Sequence, residues 1–190
     1  MKKLAVFASG TGSNAKKLID YFSGHKEISV ALLLSNRADA GAIAIAKNAG
    51  IAAITFTKEE FYNSAKIIDT LAAQKIDFIV LAGFLIKIPD AILNAYENRI
   101  INIHPALLPD FGGKGMYGLN VHKAVIESGK KESGITIHLV NEHYDEGRIL
   151  YQAKCPVLEN DTPEMLSARV RKLEHLYFPN KIRQFIEGEI

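Results

Sequence analysis

The sequence predicts an α/β fold with a mostly parallel, twisted sheet and helices on both faces. Short apolar runs alternate with longer amphipathic runs through the first hundred residues. The short runs are apolar at consecutive positions, as in strands buried on both faces, whereas the long runs repeat apolar residues at helical spacing. Because parallel strands need a crossover connection, usually a helix, this alternation favours a parallel sheet covered by helices.

Four strands and three helices are predicted in residues 1–100. The strands are KLAVFAS (3–9), ISVALLLS (28–35), AAITF (52–56) and IDFIVLAG (76–83). The helices are SNAKKLIDYF (13–22), AGAIAIAKNAG (40–50) and a segment from about Lys58 to Gln74. This order is Rossmann-like, so residues 1–100 are predicted to be a mononucleotide-binding half.

Residues 101–190 follow a different pattern. The strand RIINIH (99–104) leads into a helix, LNVHKAVIES (119–128), and two alternating runs, SGITIHLV (133–140) and RILYQAKCPV (148–157), flank the loop NEHYDEG. A last helix begins near DTPEMLSARV, where Asp161 or Thr162 can cap it and Pro163 suits its first turn. No interior linker or repeat is visible, so residues 1–190 are predicted to form a single domain.

The composition excludes several classes of protein. With 23 Lys+Arg against 21 Asp+Glu, the net charge of +2 does not favour nucleic acid or a membrane as the main partner. The one cysteine, Cys155, cannot form an internal disulfide. No apolar run approaches the ~18 residues of a membrane span, and the N-terminus lacks a signal-peptide core. A soluble cytoplasmic protein is expected.

Polar residues cluster where the predicted strands end. The clusters are Ser9 to Asn14, Gly83 and Phe84, Asn102 and His104, and Asn141 to Asp145. The carboxyl ends of parallel strands lie at one edge of a sheet, and ligands bind there at the point where the strand order reverses. We therefore expect these clusters to share one edge.

The glycine segment after the first strand is a candidate phosphate site. Gly10-x-Gly12-x-x-Ala15 resembles a dinucleotide fingerprint, but the second strand ends in Ser35-Asn36-Arg37 without the acidic residue that holds a ribose. The free N–H groups of the following helix, with Ser13 and Asn14, can still bind a phosphate. The alternative is an ordinary strand-to-helix turn.

The types of residue at this edge favour direct group transfer. Cys155 lies inside a predicted strand, and the six histidines lack metal-binding spacing, so neither a covalent intermediate nor a metal is indicated. An Asn and an imidazolium can donate hydrogen bonds to a developing oxyanion, while a carboxylate holds the ring and favours its charged form. The alternative is that Asn102 and His104 only satisfy hydrogen bonds at the end of a core strand.

Four motifs together resemble the folate-dependent formyltransferases, and among them the phosphoribosylglycinamide formyltransferases, also called glycinamide ribonucleotide transformylases. They are SGTGSN (9–14), VLAGFLIKI (80–88), NIHPALLP (102–109) and HYDEGRILYQ (143–152), and the resemblance covers essentially the whole chain. It implies a formyltransferase fold of about seven strands with an antiparallel C-terminal part, and makes residues 101–190 the catalytic and folate-binding half.

The resemblance also implies an activity. A formyl group passes directly from 10-formyltetrahydrofolate to the amine of glycinamide ribonucleotide through a tetrahedral intermediate, giving N-formylglycinamide ribonucleotide and tetrahydrofolate in de novo purine biosynthesis. Both substrates are small molecules, 10-formyltetrahydrofolate is the cosubstrate and no metal takes part. We expect no nucleic acid or membrane partner, and a monomer or a homodimer.

Individual residues take roles only by this resemblance. Asn102, His104 and Asp145 match the catalytic residues: Asn102 and His104 stabilise the oxyanion, and Asp145 assists proton transfer toward the departing folate nitrogen, directly or through water. The ribonucleotide-binding positions are Gly12, Ser13, Asn14 and Glu174. The folate-binding positions are Leu85, Ile86, Lys87, Ile88, Asn141, Glu142 and Asp145.

The chain departs from the family pattern in places. Leu85-Ile86 replaces a Met-Arg pair, and only Lys66 is a candidate for an arginine that reaches the folate tail. The loop DFGGKGMYG is longer and richer in glycine, and Lys114 in it either reaches a ligand or is solvated. His138 is a core histidine or a partner of the site, while His122 and His143 are expected in solvent or in loops.

Three other functions remain possible from the sequence. Methionyl-tRNA formyltransferase and formyltetrahydrofolate hydrolase use a similar set of catalytic residues, but the first carries a further RNA-binding domain and the second a regulatory domain, for which we expect no room in this chain. A non-catalytic nucleotide-phosphate binding module would need only the glycine turn.

Overall fold

The computed structural model describes residues 1–190 and contains seven strands and seven helices. The strands are β1 (Lys2–Phe7), β2 (Ile28–Ser35), β3 (Ala52–Thr55), β4 (Phe78–Leu81), β5 (Ile100–His104), β6 (Glu132–Leu139) and β7 (Ile149–Pro156). The helices are α1 (Ser13–Phe22), α2 (Gly41–Asn48), α3 (Lys58–Asn63), α4 (Lys66–Ala73), α5 (Asp90–Ala95), α6 (Leu119–Glu127) and α7 (Pro163–Ile186).

The seven strands form one sheet in the order β3-β2-β1-β4-β5-β6-β7. β1 pairs in parallel with β2 and β4, and β2 pairs in parallel with β3. β6 and β7 pair antiparallel, with a register shift between Ile137 and His138. The predicted α/β class and the mixed sheet with an antiparallel C-terminal part are confirmed.

The chain divides into two compact units, Met1–Ile101 and Asn102–Ile190. In the first unit, residues Leu4 to Phe7 of β1 are completely buried. Helix α1 buries Ala15, Leu18, Ile19 and Phe22, the i, i+3, i+4, i+7 pattern of one helix face. Packing of this apolar stripe, rather than helix propensity alone, stabilises a helix of only 10 residues.

In the second unit, β6 is buried from its second residue to its last, whereas β7 alternates more strongly with solvent. Helix α7 begins where Thr162 accepts a hydrogen bond from the Met165 amide at 3.3 Å. Of the two capping residues that the sequence allows, Thr162 therefore caps the helix. Asp161 instead accepts two hydrogen bonds from Arg169, at 2.5 and 2.9 Å.

The predicted helix from Lys58 to Gln74 is two helices, α3 and α4. Thr57 and Glu60 form a capping box that starts α3. Ser64 ends it, because its hydroxyl donates to the Glu60 carbonyl at 2.8 Å and accepts from the Lys66 amide at 3.3 Å. A serine that bonds the backbone in this way competes with the helical hydrogen bonds, so the segment breaks.

His122 contradicts its predicted position in solvent. It lies on α6 with 3% of its surface exposed, and its Nδ1 atom has no hydrogen-bond partner in the protein. Burial lowers the pKa of His122 to about 4, and the positive charge of Arg171 and the nearby His104 act in the same direction. The charged form is disfavoured because a buried cation loses its hydration.

No helix of the structure combines the length and the apolar composition needed to span a membrane.

The buried His122 predicts a specific dependence of stability on pH. An unfolded histidine binds a proton below about pH 6.5, whereas folded His122 resists protonation down to a pKa of about 4. Between these values the unfolded state binds more protons, so His122 makes the protein less stable by about 3 kcal/mol as the pH falls through this window. In His122→Leu, the free energy of unfolding measured by urea titration should fall less steeply between pH 6.5 and 4.

The matched control is the same substitution at His143, which is exposed in the loop after β6. His143→Leu should leave the slope unchanged. Parallel pH profiles for wild type and His122→Leu would contradict the assignment.

Candidate active site

The candidate site begins at the carboxyl end of β5. Asn102 and His104 are two residues apart on this strand, so their side chains leave the same face of the sheet. His104 is 3% exposed and Asn102 is half-buried. Two polar side chains at the end of a buried strand need hydrogen-bond partners. Both partners, His138 for Asn102 and the Phe111 carbonyl for His104, belong to the second unit.

His104 is held by a backbone carbonyl. Its Nε2 atom lies 2.8 Å from the carbonyl oxygen of Phe111. A carbonyl oxygen can only accept, so Nε2 carries the hydrogen and donates it. The other ring nitrogen, Nδ1, lies 3.5 Å from Oδ2 of Asp145.

Asp145 lies in the loop between β6 and β7, and its side chain is 14% exposed. Its backbone has a φ of 59°, in the left-handed region that non-glycine residues rarely adopt. The Oδ2 atom accepts a hydrogen bond of 2.9 Å from the Gly113 amide. The structure therefore brings the predicted residues His104 and Asp145 together, and Asn102 joins them through His138 to form one largely buried group.

His138 is a fourth member of this group. It is 1% exposed, and its Nε2 atom lies 3.0 Å from Nδ2 of Asn102 and 3.6 Å from Oδ1 of Asp145. Its Nδ1 atom donates to the carbonyl of Leu139 at 2.8 Å, so Nε2 in the neutral ring is the acceptor. Asn102 must then present its NH2 group to His138, which leaves the second amide hydrogen directed elsewhere.

The sequence left His138 either as a core histidine or as a partner of the site. The contacts with Asn102 and Asp145 favour the second interpretation. The signal in the sequence was a histidine between Ile137 and Leu139 in an otherwise apolar strand.

The electrostatics of the group favour a neutral imidazole beside a charged carboxylate. Burial lowers the pKa of His104, and this outweighs the opposing effects of the Asp145 charge and the Phe111 carbonyl. Burial opposes ionisation of Asp145, yet contacts with His138, His104 and the Gly113 amide keep its pKa below the usual value. The Asp145 charge favours the charged ring, as expected, but burial outweighs it, so the net pKa of His104 lies below the usual histidine value.

A cleft of about 440 Å³ opens beside Asp145. Its lining combines loop backbone with apolar and aromatic side chains: Leu108, Pro109, Gly112, Gly113, Tyr144, Asp145, Glu146, Gly147 and Ile149. This volume lies within the ~300–1,000 Å³ typical of small-molecule pockets. Of the predicted folate-binding residues in this loop, Asp145 lines the cleft, whereas Asn141 accepts a hydrogen bond from the His143 amide and Glu142 is exposed.

The predicted phosphate-binding residues lie at the start of α1. Gly12 has a φ of 82°, and a Cβ atom there would lie 2.6 Å from Cα of Ala42, so this turn requires glycine. No side chain caps the helix, and its first turn holds no acidic residue. The positive end of α1, with Ser13 half-buried beside the buried Asn14, therefore lacks a built-in anion.

The remaining predicted residues follow β4 or lie on α7. Ser9 anchors the segment after β4, because its hydroxyl accepts from the Leu85 amide at 3.2 Å and donates to Oδ1 of Asn36 at 2.6 Å. Leu85 is 52% exposed and Ile88 is buried, with Ile86 and Lys87 between them. Glu174 is half-buried in the middle of α7. The sequence motif contained Ser9, but its anchoring role was not predicted.

Comparison with known proteins agrees with this fold. The family model described as formyl transferase matches residues 2–182. A chloroplastic phosphoribosylglycinamide formyltransferase of Arabidopsis thaliana is 46% identical over 100% of this chain and 67% of its own length. A phosphoribosylglycinamide formyltransferase of Haemophilus influenzae is 37% identical over 100% of this chain and 90% of its own length.

A solved structure agrees as well. The crystal structure of glycinamide ribonucleotide transformylase 1 from Symbiobacterium toebii superposes with a TM-score of 0.90 at 38% identity, covering 99% of this chain and 89% of that one. The mixed α/β sheet and these named relatives define a class of group-transferring enzymes. The chain belongs to the formyl transferase family.

Asp145 should raise the pKa of His104, because a negative charge 3.5 Å from Nδ1 stabilises the charged ring. We expect Asp145→Asn to lower the pKa of His104 further, as measured by NMR titration of the histidine ring. Asp110→Asn is the matched control, since Asp110 is exposed and pairs with Lys130 instead. An unchanged or higher pKa of His104 in Asp145→Asn would show that the carboxylate does not act on the ring.

Proposed function

We propose that this protein transfers the formyl group of 10-formyltetrahydrofolate to the amine of glycinamide ribonucleotide, a step of de novo purine biosynthesis. The observation that carries the proposal is the buried group of Asn102, His104 and Asp145 beside a cleft of about 440 Å³. The names of the Arabidopsis and Haemophilus relatives indicate the same reaction for those proteins. In this proposal the catalytic residues are Asn102, His104 and Asp145.

The ribonucleotide phosphate would bind at the start of α1. The N–H groups of a helix N-terminus and its dipole favour an anion, and this helix has no side-chain cap. Gly12, Ser13 and Asn14 form this part of the site, and Glu174 is proposed to contact the ribose. An anion held here fixes one end of the acceptor, so that only the amine end must be positioned for attack.

Asn102 is suited to stabilise the oxyanion that develops on the formyl oxygen. Its NH2 group faces Nε2 of His138 at 3.0 Å, which directs the second amide hydrogen away from His138. A donor held in this way costs no reorganisation when charge develops, and removing one such donor typically lowers kcat by about 10²–10³-fold. His138 thus positions the donor without touching the reacting atoms.

The resemblance gives His104 a role in stabilising the oxyanion, whereas its neutral ring is suited to accept a proton from the attacking amine. Its pKa lies below the usual histidine value, so the ring is neutral and basic near pH 7. The imidazolium that forms is stabilised by Asp145 at 3.5 Å and can return its proton toward the departing folate nitrogen. Asp145 remains ionised throughout and assists the proton transfer, directly or through water.

The cleft beside Asp145 would receive the pterin end of the folate. Its apolar and backbone lining, with carboxylates from Asp145 and Glu146, suits a flat heterocycle that carries N–H donors. We propose Leu85, Ile86, Lys87, Ile88, Asn141 and Glu142 as further folate-binding residues. Lys66, the candidate for the folate tail, pairs with Glu60 at 2.5 Å, so binding there would have to compete with this ion pair.

The proposal includes several features carried over from the sequence. The chain acts as one domain over residues 1–190, as a monomer or a homodimer, in the cytoplasm, with small-molecule substrates and without nucleic acid or a metal. The Arabidopsis relative is named as chloroplastic, so the cellular location of this protein has to be measured separately.

The deciding experiment incubates the purified chain with 10-formyltetrahydrofolate, with and without glycinamide ribonucleotide, and follows deformylated folate by absorbance. We expect deformylation only when the ribonucleotide is present. Deformylation without it would instead identify a hydrolase, and formylation of methionyl-tRNA in a parallel reaction would identify the tRNA enzyme. No turnover with any acceptor would favour a nucleotide-binding module.

Substitutions at a proposed catalytic histidine and at an exposed histidine test the role of His104 in this assay. His104→Ala and the larger His104→Gln should each lose about 10²–10⁴-fold in kcat, because the proton acceptor is removed. His143→Ala, at an exposed histidine, should keep wild-type turnover. Full activity in both His104 variants, with folding checked by circular dichroism, would contradict the proposed role.

A charge introduced at the start of α1 tests the phosphate site. Ser13→Asp should raise KM for the ribonucleotide about tenfold or more, because a carboxylate repels the phosphate at close range. The same carboxylate stabilises a helix N-terminus by about 0.3–1 kcal/mol, so the protein should not lose stability. The kcat and the KM for the folate should stay near wild type.

Ser13→Asn is the matched control, since it has the shape of aspartate without its charge. The difference in KM between the two variants should shrink at high salt. Equal KM values in both variants would place the phosphate elsewhere.

A further inference from the structure

The segment Phe111–Gly113 touches both members of the reacting pair. The carbonyl of Phe111 accepts from Nε2 of His104 at 2.8 Å. Two residues later, the Gly113 amide donates to Oδ2 of Asp145 at 2.9 Å. Oδ2 is also the carboxylate oxygen that faces Nδ1 of His104, at 3.5 Å. One short stretch of backbone therefore binds Nε2 of His104 and Oδ2 of Asp145, the carboxylate oxygen that faces the other ring nitrogen.

The local backbone has a conformation that few residues adopt. Phe111 has a φ of 56° and Gly113 a φ of 96°, both in the left-handed region. For a side chain as large as Phe this conformation is strained, and such strain persists only where the surroundings over-determine it. The hydrogen bond from His104 to the Phe111 carbonyl and the one from the Gly113 amide to Asp145 oppose its relaxation.

Gly112, between them, lets this backbone approach Asp145 closely. A Cβ atom at this position would lie 2.7 Å from Cδ2 of Leu108 and 3.2 Å from Cβ of Asp145. The Leu108 atom ends a flexible side chain that can move, but the contact with Asp145 is tighter than normal, so a side chain here would move the segment and the Asp145 side chain apart by a few tenths of an ångström. Gly115, later in the same loop, also has a positive φ, of 91°, but a Cβ atom there would meet nothing within 4 Å.

We propose that Phe111–Gly113 is a backbone clamp that makes Nδ1 of His104 the nitrogen that gains and loses the proton during formyl transfer. Since the Phe111 carbonyl can only accept, Nε2 keeps its hydrogen in the neutral and in the charged ring. Nδ1 then carries the lone pair, and the Gly113 amide holds the negative oxygen beside it. Phe111, Gly112 and Gly113 are positioning residues, and this inference rests on the proposed function.

The clamp gives the proton a defined route. As the amine nitrogen forms a bond to the formyl carbon, its N–H bond breaks and the proton passes to Nδ1. The resulting imidazolium, with both nitrogens protonated, faces Oδ2 of Asp145 on one side and the Phe111 carbonyl on the other. When the bond between the formyl carbon and the folate nitrogen breaks, the proton leaves Nδ1 for that nitrogen, so His104 and Asp145 return to their starting states.

His138 provides an internal contrast. Its Nδ1 atom donates to the Leu139 carbonyl, so its neutral ring carries the hydrogen on the opposite nitrogen from His104. The two buried histidines should therefore be distinguishable as opposite tautomers in one protein. This difference follows from which nitrogen of each ring meets a carbonyl.

The first test measures the tautomers directly in wild-type protein labelled with ¹⁵N-histidine. Long-range ¹H–¹⁵N spectra, assigned with His104→Gln and His138→Gln, should show the neutral His104 ring protonated at Nε2 and the His138 ring protonated at Nδ1. A neutral His104 protonated at Nδ1 would overturn the clamp. This result does not depend on turnover, so it separates failure of the clamp from failure of the proposed function.

The second test moves the clamp. Gly112→Ala should mix the two His104 tautomers and lower kcat roughly 10-fold, because even a small shift of the segment lengthens the hydrogen bonds that align His104 and Asp145. The KM values for both substrates should change by less than about threefold, since no binding group is removed. Gly115→Ala is the control in the same loop: its positive φ should cost some stability, but the wild-type spectrum and kcat should remain because a Cβ atom there meets nothing within 4 Å.

Equal kcat values in Gly112→Ala and Gly115→Ala would contradict the proposal. If Gly112→Ala fails to fold, the wild-type spectrum still decides it. If the tautomers are as expected but no formyl transfer occurs, both the proposed function and the catalytic role of the clamp are wrong. If formyl transfer occurs but His104 is the opposite tautomer, the proposed function is retained and the clamp is wrong.

Discussion

The burial of an imidazole beside a carboxylate is the constraint on which the site depends. His104 and Asp145 are largely removed from solvent, and an isolated charge or an unpaired polar atom there would be costly. The structure meets this cost mainly with backbone groups: one carbonyl for His104, one amide for Asp145 and one carbonyl for His138. Backbone partners do not titrate, so the hydrogen-bond pattern around the pair stays fixed while a proton moves within it.

These backbone partners come from segments with unusual geometry. Phe111, Gly113 and Asp145 all have positive φ values, and they lie in the loops that surround the cleft. At Phe111 and Asp145 this conformation costs about 1–3 kcal/mol per residue and is tolerated where surrounding contacts require it, whereas glycine adopts it without steric strain. The rest of the second unit is regular by comparison: β6 and β7 pair antiparallel beside a long α7 and supply the rigid frame that holds the loops.

The fold was largely predictable because its signals are local. Strands such as β1 and β2 are continuous apolar runs, and α1 repeats apolar residues at helical spacing, so each element can be recognised without knowing its neighbours. The errors were also local in origin. Ser64 interrupts a segment with good helical pattern, and its hydrogen bond to the Glu60 carbonyl is not visible in periodicity alone.

The identities of the central residues also followed from the sequence by itself. Asn102 and His104 stand out in an apolar strand, and the motif that contains Asp145 completes a set of residue types suited to oxyanion and proton chemistry. The tertiary structure decided the protonation, the tautomer and the burial of the histidines. The neutral form of His104, the tautomers of both buried histidines and the burial of His122 depend on atoms from distant parts of the chain. A pattern of residue types specifies which groups are present, but only packing determines which nitrogen meets a carbonyl and how much solvent is removed, and these set the charge.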